Sequence, residues 1–169
     1  MEIFSLILLL CVFLIVFIRV YRKNLFKGVT YDYYFSTDEV FEGDEIEFTE
    51  IITNRKFLPV PWLKSELTVS AYLEFAELQS TKTDKSRYVT SFFSLKSFCR
   101  IRRTWKVKCT HRGVFRVDNL IVSATDPLGL VKDYFVIDKK ILADKMVTVL
   151  PVCAEYEAEY NDTGLLSGD

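Results

Sequence analysis

The chain has 169 residues, of which 50% are hydrophobic, 15% aromatic and 27% charged, a composition too apolar for a disordered chain. Twenty-two Lys and Arg against 23 Asp and Glu leave a formal charge of −1, so no global field draws it to nucleic acid. The balance also excludes a purely basic or purely acidic tail-like protein, and the stretch beyond Gly28 is long enough for one domain with its own core.

The first element is apolar. From Ile3 to Ile18 the only polar residue is Ser5, and there is no charge. A helix from Ile3 to Tyr21 would be about 28 Å long at 1.5 Å per residue, close to a hydrocarbon core of ~30 Å. The head of Arg19 can reach the interface while its stem stays buried. A cleaved signal peptide would begin with basic residues and end in small ones, but Glu2 stands at the start and Arg19-Val20-Tyr21-Arg22-Lys23 at the end. So long an uncharged run also argues against a core helix in a small domain. Arg19, Arg22, Lys23 and Lys27 follow the helix, and positive flanks stay in the cytoplasm. The expectation is a single-pass anchor in the cell's inner (cytoplasmic) membrane, with residues 3–21 in the lipid bilayer and the globular part facing the cytoplasm. Residues 1–27 form the anchor and basic flank, 28–153 the domain, and 154–169 an acidic and polar tail or linker. Between Tyr21 and Thr30 a short link would hold the domain near the surface.

Beyond Gly28 the pattern is short runs of β-branched and aromatic residues between turn residues, with no helical period. Val29 to Phe35 is the first strand. Phe41-Glu42-Gly43-Asp44 is a turn. Glu45 to Thr53 is a strand with Ile46 and Phe48 on one side and Glu45 and Glu47 on the other. Leu58-Pro59-Val60-Pro61-Trp62 is a crossing held extended by its prolines. Leu63 to Phe75 makes one strand or two, and Gln79 to Lys85 a polar loop.

The clearest alternation runs from Lys96 to Cys109. Cys99, Ile101, Arg103, Trp105, Val107 and Cys109 share the core parity, with Arg103 needing a partner or a route to water. Lys96, Phe98, Arg100, Arg102, Lys106 and Lys108 share the other parity. His111-Arg112-Gly113 turns the chain. Val114 to Thr125 is a strand with an irregularity at Asp118-Asn119. Asp126-Pro127-Leu128-Gly129 fits a type I turn. Leu130 to Ile137 and Met146 to Val152 complete the set. Such strands imply a two-sheet antiparallel β-sandwich, a mainly β fold preceded by one transmembrane helix.

Three features together carry a family resemblance. They are Gly43-Asp44 leading into a strand that ends at Asn54, the Leu58 to Trp62 crossing, and Arg112-Gly113 followed by Asp126-Pro127-Leu128-Gly129-Leu130. Over residues 29–152 and the apolar segment, the chain resembles the bacterial family called domain of unknown function number fifty-eight. The resemblance implies a membrane anchor, an immunoglobulin-like antiparallel β-sandwich and a following domain resembling von Willebrand factor type A. It also implies association with a MoxR-type AAA+ ATPase in assembly or maturation of other complexes. The chain departs from it in having one apolar helix where many relatives have two, and in ending at Asp169 where the second domain would begin.

Chemistry is sparse. The cysteines are Cys11, Cys99, Cys109 and Cys153, with no C-x-x-C pair to suggest zinc. Reduced thiols packed as small hydrophobes are the first reading, and a Cys99–Cys109 disulfide the other. Asp84-Lys85-Ser86-Arg87-Tyr88 lacks the second hydroxyl of a metal-dependent adhesion motif. His111 reads as a surface turn residue rather than the base of a triad with Cys109. The acidic cluster of Asp38, Glu39, Glu42, Asp44, Glu45, Glu47 and Glu50 reads as a solvated strand face rather than a calcium site. No enzyme, metal or cofactor is expected.

Two surfaces remain as candidates. The basic stripe Lys96, Arg100, Arg102, Lys106 and Lys108 is either a solvated face, a contact with anionic inner-leaflet lipid, or a dock for an acidic partner. Nucleic acid is the weakest reading, for want of a stacking platform. The second is a partner loop of Pro59, Pro61, Trp62, Asp126, Pro127 and Gly129. Against it stands the plain reading that prolines fix geometry and Trp62 packs in the core. The function expected is a membrane-anchored, non-enzymatic interaction or scaffold module. An outward-facing adhesion or ligand-binding sandwich is the alternative.

Overall fold

The computed structural model describes residues 2–76 and 78–152. Expectations for Cys153 and for the tail 154–169 lie outside the described residues. The elements are α1 (Glu2–Asn24), β1 (Val29–Phe35), β2 (Glu39–Phe41), β3 (Glu45–Asn54), β4 (Val60–Ser70), β5 (Leu73–Phe75), β6 (Gln79–Lys82), β7 (Ser86–Leu95), β8 (Arg100–Cys109), β9 (Gly113–Thr125), β10 (Lys132–Val136), α2 (Lys139–Ala143) and β11 (Met146–Leu150).

The strands form two facing sheets, a β-sandwich of the immunoglobulin-like kind. The smaller has the order β1-β3-β8-β5, and the larger β2-β11-β9-β4-β7-β6 with β10 added on β9. Pairing is antiparallel except between β2 and β11, which run parallel. Alternation explains the layering. Ile46, Phe48 and Ile52 of β3 are buried while Glu45 and Glu47 face water. On β8, Val107 and Cys109 are buried, and Arg100, Arg102, Lys106 and Lys108 are exposed. Phe48 sits among Tyr33, Phe35 and Phe75, with ring centroids 5.4, 5.4 and 5.5 Å away.

Several expectations need correction. β8 begins at Arg100, so Lys96 and Phe98 lie in the β7–β8 turn, where Phe98 has φ 50° and ends the extended run. Gln79 to Lys82 is an edge strand, because β7 supplies it with partners through Thr90 to Arg87. β7 itself carries Arg87 and Ser91 on its buried parity, which hides its alternation in the sequence. The short α2 lies where the sequence shows no helical period; Asp138 caps it by accepting from the Lys140 amide at 3.1 Å. The irregularity in β9 is present: its register with β4 shifts at Asp118, between the pairs Thr68–Asn119 and Val69–Val117.

The entry of the helix also differs from a short link. α1 continues to Asn24, and Tyr21 and Leu25 are buried in the sandwich core. Phe26 meets Phe135 edge-on at 4.8 Å. Lys56 Nζ donates to the carbonyl of Asn24 at 2.6 Å and to that of Leu25. Burial lowers the Lys56 ammonium to about 8. The apolar stretch from Ile3 to Val16 projects, largely exposed, and α1 is long and apolar enough to cross a membrane.

Antiparallel pairing gives the sandwich two ends. At the proximal end, beside α1, lie the starts of β1, β4, β8 and β10 and the ends of β3, β7 and β9. At the distal end lie the β8–β9 turn and Leu150.

Phe48 is fully enclosed, so its truncation leaves a cavity that neighbouring rings cannot fill. Phe48→Ala is expected to lower unfolding free energy by about 3–5 kcal/mol, read from denaturant unfolding of the detergent-solubilised chain.

Candidate functional site

The outer faces of the two sheets differ in chemistry. On the smaller sheet the stripe of Arg100, Arg102, Lys106 and Lys108 does share one exposed face, with Lys96 exposed in the preceding turn. Across the ladder Lys108 lies opposite Glu45 on one side and Glu74 on the other, and Lys106 lies opposite Glu47. The distal half of the basic stripe therefore neighbours Glu45 and Glu47 of the acidic cluster, together with Glu74, and these charges offset. Arg102 donates to the Tyr34 hydroxyl and stacks 5.7 Å from its ring. From Arg100 to Lys108 the stripe extends about 26 Å at ~3.3 Å per residue. Lys96 and Arg100 are thus proximal, and Lys106 and Lys108 distal.

The larger sheet presents aromatics instead. Trp62 is 58% exposed and Phe92 59%, and Tyr134 stands on the same outer face. The expectation of a core position for Trp62 is overturned. Leu63 takes the inward parity, and the β4–β7 register slips between Val60 and Leu63, turning Trp62 outward. Pro59 and Pro61 are half-buried beside it. Two shallow grooves meet at this pair. One of about 420 Å³ is lined by Pro61, Trp62, Phe92, Phe93, Arg103 and Pro127. The other, of about 250 Å³, is bordered by Lys64 and Lys132. Lys64 pairs with Glu66 at 2.5 Å.

Arg103 finds the partner its parity demanded. Its Nη1 donates to the Phe92 carbonyl at 2.7 Å and its guanidinium lies 4.7 Å from the Phe93 ring. It thereby joins the sheets along the edge where β7 lies beyond the reach of β6.

Of the proposed partner loop, Pro127 and Gly129 are exposed but Asp126 is not. Asp126 is fully enclosed, and its carboxylate accepts from the amides of Val131 at 2.6 Å and Leu128 at 3.1 Å. Its role is to hold the turn, with Gly129 at φ 72° closing it. It has no free oxygen to offer a partner.

The largest departure from the sequence reading is Glu50. Placed with the solvated acids, it is fully buried instead. Its Oε1 accepts from Ser65 Oγ at 2.9 Å and from the Tyr31 hydroxyl. Its Oε2 accepts from Trp105 Nε1 at 2.7 Å and Ser91 Oγ at 2.9 Å. Tyr31 and Trp105 belong to the smaller sheet and Ser65 and Ser91 to the larger, so one carboxylate bridges both. Burial, then the Glu50 charge, raises the Tyr31 phenol well above its usual range, so it remains a donor. One signal in the sequence points to this: Glu50 shares parity with Ile46, Phe48 and Ile52.

The thiols and the histidine fit their plain readings. Cys11, Cys99 and Cys109 are free, and burial, then Asp44, pushes the Cys109 thiol up to about 11. That opposes thiolate formation. His111 is exposed at the distal end, stacked 4.7 Å from Tyr72, with Nδ1 3.5 Å from Glu42. Among the described residues no three His, Cys, Asp or Glu side chains gather to hold a metal ion.

No family model matches the chain, and no curated protein matches it. Among solved structures it is similar to a CARDB domain from Pyrococcus furiosus, at 14% identity and TM-score 0.43, over 73% of this chain and 90% of that one. It is also similar to a cohesin module of a Clostridium perfringens family 33 glycoside hydrolase, at 13% identity and TM-score 0.41, over 73% of this chain and 96% of that one. A non-cellulosomal cohesin from Archaeoglobus fulgidus matches at 13% identity and TM-score 0.40, over 72% and 86%. At these scores the likenesses carry no residue, ligand or activity over to this chain.

The Glu50 hub sets a graded expectation. Glu50→Ala strands four donors, those of Ser65 and Ser91 fully buried, and is expected to cost about 3–5 kcal/mol. Glu50→Gln keeps one acceptor oxygen but turns an amide donor toward Trp105 or Tyr31, and is expected to cost less, roughly 1–3 kcal/mol. Urea unfolding followed by tryptophan emission measures both; parent-like stability of Glu50→Ala contradicts a bridging role.

Proposed function

We propose that the chain is a membrane-anchored, non-enzymatic interaction module. In this reading α1 holds the sandwich at a bilayer, and the aromatic outer face of the larger sheet receives a protein partner. The observation that carries it is the Trp62–Phe92 pair, exposed side by side above two grooves. Large aromatic side chains left in water by a fold that buries Phe48 and Tyr33 completely are typical anchors of a protein interface. Lys132 and Arg103 border the pair and favour a partner that brings apolar side chains flanked by carboxylates.

The family resemblance extends the proposal. It names a MoxR-type AAA+ ATPase as the associate and assembly or maturation of other complexes as the task. The charge flanking α1 supports a sandwich on the cytoplasmic side of the inner membrane.

Two measurements test this reading. Protease added outside intact cells is expected to leave the sandwich whole, and its digestion would instead favour an outward-facing ligand-binding module. After mild detergent extraction a MoxR-type ATPase is expected to co-purify. Trp62→Ala and Phe92→Ala should each weaken that association by about 2 kcal/mol, roughly 30-fold, without loss of folding. Undiminished recovery with both residues changed would remove this face from the interface.

A further inference from the structure

We infer that the proximal end of the sandwich is itself bedded in the interfacial layer of the bilayer that α1 crosses, with Phe57, Phe98, Leu128 and Leu130 as its lipid-contacting tips. The inference rests on the anchoring proposed above. Tyr21 is the first residue of α1 enclosed by the domain. Phe17 and Ile18 already pack against the core, so Ile3 to Val16 make up the apolar rod outside it, about 21 Å at 1.5 Å per residue. A hydrocarbon core takes ~30 Å, and the head-group layers bring the total to roughly 40–45 Å. The rod is used up in crossing the core. Nothing is left to hold the sandwich clear of the head groups, so its proximal end occupies them.

What the proximal end exposes suits that layer. The Asp126 turn joins the end of β9 to the start of β10, whose Phe135 meets Phe26 just beyond α1, so the turn lies at the end where the helix arrives. Leu128 and Leu130 of that turn are exposed. Phe57 is 78% exposed and Phe98 70%. Both are tied to the end of the helix. Lys56 binds the last carbonyls of α1, the Phe98 amide donates to the Lys56 carbonyl at 3.1 Å, and Ser97 Oγ donates to the Phe57 carbonyl. Lys27, Arg55 and Lys96 are exposed or half-buried among these tips, where cations meet lipid phosphates. The distal turns carry Gly43-Asp44, Asp84-Lys85 and His111-Arg112, all exposed, beside the exposed rings of Phe41 and Tyr72.

Phe98 supplies an independent indication. It is held at φ 50°, a left-handed conformation that is strained for a bulky side chain and that glycine or asparagine would take more easily. A phenylalanine there, pointing away from the core, serves no need of the turn. Lipid contact gives it a use. The same geometry restricts the basic stripe: Lys96 and Arg100 reach the head groups, whereas Lys106 and Lys108 lie at the far end of β8.

The test uses the full chain in vesicles of phosphatidylcholine and anionic phosphatidylglycerol. Tryptophan is added one site at a time by Phe57→Trp, Phe98→Trp and Leu128→Trp, with His111→Trp as the distal control. The chain is expected to remain in the vesicles through an alkaline wash. Added emission from the three proximal variants should shift to shorter wavelength and be quenched by brominated acyl chains, while the distal variant stays unquenched. Retained protein whose proximal variants all emit as in water and resist quenching overturns the inference but leaves the anchor standing. Release by the wash overturns the anchor and the inference with it.

Discussion

The two sheets are joined at their centre by a single carboxylate. A buried charge is costly unless each of its lone pairs is used, and an ionised carboxylate has about four such sites. Glu50 has four donors, two from each sheet. Apolar packing alone fixes the distance between sheets but tolerates sliding. Four directional bonds at one point fix register as well. The side chains of Tyr31, Ser65, Ser91 and Trp105 can meet Glu50 together only when β1, β4, β7 and β8 are all correctly paired. The hub therefore sets which surfaces the sandwich shows.

Those surfaces follow from the register. With Glu50 turned inward, Glu45 and Glu47 are forced outward and come to lie opposite Lys108 and Lys106. One face of the sandwich becomes a charge-compensated ladder. On the other sheet, the slip between Val60 and Leu63 turns Trp62 to water beside Phe92. The molecule thus carries a polar face, an aromatic face and, at the end where α1 arrives, apolar turn tips among cations. Arg103 shows how closely these are linked. It starts on the core parity of the smaller sheet and finishes on a carbonyl at the border of the aromatic groove.

The helix is continuous with this arrangement. Tyr21 and Leu25 belong to the same core as Phe48 and Val107, so α1 enters as a packed element. Lys56 closes the junction by binding the carbonyls at the helix end, which an α-helix leaves unpaired. The domain is thereby tied directly to the apolar helix.

Period-two alternation over Glu45 to Thr53 and from Ile101 to Cys109, with turns at Gly43, Gly113 and Asp126-Pro127, is enough to derive a two-sheet sandwich from the sequence, because side-chain direction in a strand depends only on parity. The uncharged run from Ile3 to Ile18 likewise declares itself by composition. Trp62, Asp126, Glu50 and β6 are different. Whether a tryptophan beside prolines faces in or out depends on a register slip against β7. Whether an aspartate in a turn is free depends on which amides fold back to it. Glu50 carried the right parity, yet only four donors arriving from other strands make an acid tolerable inside. Gln79 to Lys82 becomes a strand only because β7 offers an edge. Local pattern thus determined the layers and the membrane-length helix, and tertiary pairing decided which polar groups are enclosed and which aromatic ones are left in water, since partners far apart in the chain supply the bonds that settle each case.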